Sequence, residues 1–157
     1  MKRTTRATRA TWIAAGAVAL LAAPVPAFAA APTAATTTAT VTTCGSSSLQ
    51  AGLATYACVD VTGDSVAVYG KIGLAGPISP GSPWPEPKEL VTHLSANVAG
   101  GASLGTVNGR TVFQVSTVRV DGISATVPCG STVHVSFDVE GFWSAQVPAT
   151  VDVPVVC

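Results

Sequence analysis

Apolar residues recur at every second position over long stretches of this chain. In residues 132–140, Val133, Val135, Phe137 and Val139 alternate with Thr132, His134, Ser136, Asp138 and Glu140. Successive side chains of a strand point to opposite faces, so this segment predicts a strand with one dry and one wet face. The same period predicts a hairpin of residues 53–61 and 65–74 around Thr62-Gly63-Asp64. Leu53, Thr55, Ala57, Val59 and Val61 share one face of it, and Val66, Val68, Gly70, Ile72 and Leu74 share one on the partner strand. Residues 39–44 read as a first strand followed by a Gly-Ser loop at 45–48, and 88–98 as a strand with Leu90, Leu94, Ala96 and Val98 inward. The last strand, 147–156, places Val147, Ala149, Val151, Val153 and Val155 together. Pro148 and Pro154 cannot donate to a ladder, which puts that strand at a sheet edge or at a bulge.

Turn chemistry divides what remains. Gly100-Gly101, Asn108-Gly109 and Asp121-Gly122 are turn signals, the last two being the dipeptides favoured in two-residue hairpins. They predict strands at 102–107, 111–120 and 123–127. No segment beyond the N-terminal leader has a helical period. About eight or nine short strands, with turns roughly every ten residues, predict an all-β fold: a two-sheet immunoglobulin-like (Greek-key) sandwich. A Greek-key barrel is the competing arrangement.

The first residues follow another logic. Lys2, Arg3, Arg6 and Arg9 precede an apolar run from Trp12 to Ala23, then Pro24, Pro26 and the small-residue site Ala27-Phe28-Ala29. This is the pattern of a secretory signal peptide over residues 1–29, and the run falls short of the ~20 apolar residues that span a bilayer. Residues 30–38, rich in Ala, Thr and Pro, read as a flexible lead-in, and 39–157 as one domain. Localisation is therefore expected to be secreted and extracellular.

Removing the leader changes the charge argument. The chain has eight acidic and eight basic residues. All the acidic ones lie beyond the leader, opposed there only by Lys71, Lys88, Arg110 and Arg119. The exported domain is mildly acidic and has no Lys/Arg cluster, which argues against nucleic acid and against anionic membranes as partners. Cys44, Cys58, Cys129 and Cys157 are an even set in an exported chain, so disulfides are expected. Their spacings match no zinc motif, and neither a metal nor a cofactor is expected. Three pairings exist. Cys44–Cys58 with Cys129–Cys157 joins neighbours in the predicted strand order; Cys58–Cys129 with Cys44–Cys157 is the runner-up. Closing loops of about 15 and about 29 residues is worth about 3 and 3.6 kcal/mol on a chain-entropy estimate. An acidic, exported, two-disulfide sandwich whose mature start reads Ala30-Ala31-Pro32-Thr33 is similar in outline to the antitumour chromoprotein apoproteins. The similarity covers only those residues, and the cysteine spacings depart from it.

Four stretches invite a chemical reading. Gly101-Ala102-Ser103-Leu104-Gly105 matches the nucleophile-elbow pattern, yet the Thr106-Val107-Asn108-Gly109 after it begins no helix, so a turn is the better reading. His134, Ser136 and Asp138 share a polar face, but alternate strand residues stand about 6.8 Å apart and Asp138 lies about 13.5 Å from His134, too far to orient it. His93 faces outward on its own strand and would make a metal site with His134 only through a coincidence of register. Phe142-Trp143 reads as core packing near the Cys129–Cys157 end.

Residues 76–87 hold Pro77, Pro80, Pro83, Pro85 and Pro87 at close intervals around Trp84. Prolines at this density fix an extended path with little entropy left to lose. Trp84 then either anchors a partner or folds back to seal the end of the sandwich. The resulting expectation is a non-catalytic protein with a binding or structural role. Its contact would run through Pro83, Trp84, Pro85 and Glu86, with Lys88 and Glu89 at the rim, to an extracellular protein or small ligand. Two alternatives accompany it: an extracellular protease inhibitor presenting this loop, and a minimal secreted hydrolase using His93 or His134.

Overall fold

Alternation becomes two antiparallel ladders in the computed structural model, which describes residues 39–140 and 147–157. Residues 1–29, expected to be a signal peptide, the lead-in with Ala30-Ala31-Pro32-Thr33, and Phe142-Trp143 lie outside the described residues. The first sheet pairs β3 (Leu53–Thr62) with β4 (Ser65–Leu74), and β4 with β7 (Val118–Thr126). Its other edge is shared by β1 (Thr40–Cys44) and β2 (Ser48–Gln50), which pair with successive halves of β3. The second sheet runs β6 (Ser103–Phe113), β5 (Lys88–Val98), β8 (Thr132–Val139) and β9 (Ala149–Pro154). The expected Gly-Ser loop therefore ends early, because Ser48 already pairs with Thr55.

The inward faces meet as the periodicity requires. Val59, Val68 and Ile72 of the first sheet and Leu94, Val133, Val135 and Phe137 of the second are all buried. Each such side chain contributes about 1.5–3 kcal/mol through removal from water. β9 is an edge strand, with Ala149, Val151 and Val153 inward and Val155, just past it, also buried. Val147 does not join them; it lies before the strand and is 76% exposed.

Both hairpins expected at Asn108-Gly109 and Asp121-Gly122 are absent. β6 runs straight through the first, His93 pairing with Asn108 and Thr92 with Gly109. A long, uninterrupted partner in β5 outweighs a local turn preference. β7 runs through the second by means of a bulge. Val68 pairs with Ile123 and Tyr69 with Asp121, leaving Gly122 as the extra residue. That extra residue shifts the parity, so Ile123 is buried while Asp121 is exposed. A Cβ at Gly122 would stand 2.0 Å from Leu94 Cδ2 and 3.1 Å from the Val68 carbonyl oxygen, so the bulge needs glycine. The strands expected at 102–107, 111–120 and 123–127 are thus two long ones.

The two disulfides are Cys44–Cys58 and Cys129–Cys157, with Cα separations of 4.1 and 5.6 Å. A second tie is polar. Gln50, at the end of β2, is wholly buried. Its Oε1 accepts the backbone N–H of Val139 at 2.7 Å, and its Nε2 donates to the Val147 carbonyl at 2.9 Å. One amide thus reaches from an edge of the first sheet to both sides of the β8–β9 connection. Replacing Gln50 by Leu strands the buried Val139 N–H, and the expected cost is about 1–3 kcal/mol. The urea midpoint of Gln50→Leu, at unchanged slope, measures it.

Candidate functional site

Strand directions sort the connections into two ends. The Ala51-Gly52 turn, residues 75–87 and 114–117, Glu140 and residues 147–148 lie at one end; Gly63-Asp64, 99–102 and 127–131 lie at the other. The end with the longer connections also carries exposed apolar side chains: Leu49 at 68%, Trp84 at 70%, Val112 at 52%, and Val147.

Residues 79–89 are exposed throughout. Within them Ser79-Pro80-Gly81-Ser82 closes a turn, Ser82 N–H donating to the Ser79 carbonyl at 3.1 Å, with Gly81 at a φ of 83°. Proline followed by a left-handed glycine is the composition of a type II turn. The turn delivers the chain into Pro83-Trp84-Pro85, and the indole projects outward instead of sealing the sandwich. At the base of the loop, Lys88 Nζ donates to the Ala51 carbonyl at 2.9 Å, and Arg110 pairs with Glu89 at 3.3 Å. Pro83, Trp84, Pro85 and Glu86 therefore stand together on a braced, solvent-facing segment.

The histidines are not brought together. His93 pairs with Asp138 and His134 with Asn97, four residues apart along β5, which is about 13 Å. His93 Nδ1 lies 2.8 Å from Asn108 Oδ1 and its Nε2 lies 2.9 Å from Glu140 Oε1, so both ring nitrogens are engaged. His134 Nδ1 lies 2.7 Å from Asp152 Oδ1, a partner on β9 and not Ser136 or Asp138. Among the described residues no serine hydroxyl bonds to either histidine, and no group of three His, Cys, Asp or Glu side chains is placed to hold a metal.

A charge network missed by the sequence reading occupies the outer face of the first sheet. Asp60 accepts from Thr42 Oγ1 at 2.7 Å, Tyr69 Oη at 3.1 Å and Arg119 at 3.2 Å. Burial would raise its pKa, but these donors outweigh burial and lower it. Burial and the Asp60 carboxylate raise that of Tyr69. Arg119 lies 3.3 Å from the centroid of the Tyr69 ring and also pairs with Asp121. Asp121 belongs to the dipeptide expected as a turn and Arg119 stands two residues before it, so the misplaced hairpin hid their common face.

Comparison with known protein families, with characterised proteins and with solved structures finds no match to this chain.

The pKa of His93 is raised from its ordinary 6.5, first by the Asn108 hydrogen bond and then by Glu140; burial opposes this, and the charges of Glu140 and Asp138 support it. Folding favours the charged ring, so its stabilisation is complete below the unfolded value and is lost as pH rises through the higher folded one. The ring is more than a third exposed, which keeps the effect small. Thermal melts should show wild type ahead of His93→Gln by more at pH 5 than at pH 9.

Proposed function

We propose that the chain is a secreted, non-catalytic binding protein. In this reading residues 1–29 are removed on export, and the remaining immunoglobulin-like sandwich presents the 76–87 loop to an extracellular protein or small ligand. The observation that carries it is the exposure of Trp84 between two prolines. A large aromatic left in water costs free energy in the isolated protein, and a partner that covers it recovers that energy with little loss of loop entropy. Leu49, Val112 and Val147 at the same end supply further apolar contact area. The polar groups that would surround it, Glu86, Glu89 and Arg110, are of mixed sign, which suits a protein or polar ligand better than nucleic acid or an anionic membrane. Two disulfides in a fold of this size fit an oxidising, extracellular setting.

Capture of extracellular partners on immobilised wild-type and Trp84→Ala protein tests the assignment. An aromatic hot spot is worth about 2 kcal/mol or more, so retention of the partner should fall by roughly thirtyfold. The denaturation midpoint should stay within about 0.5 kcal/mol of wild type, as for an exposed position. Equal capture by the two proteins, or a large loss of stability in the variant, refutes the assignment.

A further inference from the structure

A second recognition feature lies on the outer face of the first sheet and does not rest on the Trp84 loop. Register places Tyr56, Lys71 and Arg119 in one cross-strand row, and Cys58, Tyr69 and Asp121 in the next. Arg119 is consumed by Asp60, Asp121 and the Tyr69 ring. One guanidinium thereby offsets one of the two carboxylate charges beside it. Lys71 is left over: its Nζ stands 5.6 Å from the Tyr69 ring centroid, and it pairs with no carboxylate among the described residues. Next along β4 comes Gly73, opposite Ala54, so the sheet surface dips where two small residues meet. The dip is a groove of about 440 Å³ lined by Cys44, Tyr56, Lys71, Gly73, Leu74 and Thr117. The Cys44–Cys58 disulfide holds β1 against β3 at its side.

We propose that this groove binds a small organic monoanion built on a planar ring, its carboxylate held by Lys71 and its ring laid along Tyr56. The chemistry is complementary at each point. An ammonium with no carboxylate partner gains a charge-assisted hydrogen bond from a carboxylate, and a phenol ring gains contact area from a flat partner. Thr117 offers a hydroxyl at the opposite wall. The volume suits a small molecule. A polyanion is disfavoured, since one lysine meets one charge while the domain as a whole carries more carboxylates than cations.

Benzoate, benzamide and acetate separate the contributions. Titrated into the full-length protein and followed by amide chemical shifts, benzoate should give saturable changes centred on Tyr56, Lys71, Gly73 and Thr117. Benzamide, which lacks the charge, and acetate, which lacks the ring, should bind at least about tenfold more weakly. Lys71→Met should weaken benzoate by about tenfold, Lys71→Arg should retain it, and Trp84→Ala should leave it unchanged. Equal affinity for benzoate and benzamide, shifts centred elsewhere, or wild-type binding by a folded Lys71→Met overturns the proposal. If Lys71→Met does not fold, the three probes on wild type decide it alone.

Discussion

A single buried amide governs how the two sheets meet at the loop-bearing end. Where β8 leaves its ladder with β9, Val139 loses a backbone partner on that side, and a buried N–H without one is expensive. Gln50 meets that N–H and, with the same side chain, the Val147 carbonyl beyond the connection. Its neighbours reinforce it: Ser48 Oγ donates to the same carbonyl, and Thr55 Oγ1 donates to the Ser48 carbonyl at 3.0 Å. The short β2 thus earns its place in the fold through hydrogen bonds more than through its three-residue pairing. The end of β8 and the approach to β9 are thereby held against the edge of the first sheet.

The strands that alternate cleanly were legible because antiparallel strands with one buried face can be assigned by parity alone. Leu53 to Thr62 and Thr132 to Val139 kept their period through to burial, and the favoured disulfide pairing followed from the order of those strands. Parity failed at Gly122, because a bulge exchanges faces partway along a strand and leaves no mark in composition. The Asn108-Gly109 dipeptide misled for a different reason. Turn preference belongs to the dipeptide alone, whereas β6 is held extended by pairing along its length with the eleven-residue β5 just before it. Gln50 was illegible outright: one polar residue in a three-residue strand carries no period.

The candidate sites divide along the same line. The Pro-rich loop was visible because its composition is local, and the direction of Trp84 was the part that required three dimensions. The Tyr56–Lys71 groove depends on register between β3, β4 and β7, so no single stretch announces it. His93 lies between them: its outward face was plain, but Asn108 comes from β6 and Glu140 from just beyond β8. Side chains that act within one segment can be read from sequence, while those that act across the ladder wait for the pairing.

The placement of the two sulfur bridges has a mechanical corollary. Cys44–Cys58 closes within one sheet, and Cys129–Cys157 joins the approaches to neighbouring strands of the other, so neither crosses the interface between layers. Prising the layers apart meets only apolar contact and a few hydrogen bonds. An oxidised chain pulled open this way keeps one covalent ring within each layer, like a book whose covers stay stiff after the spine has given way.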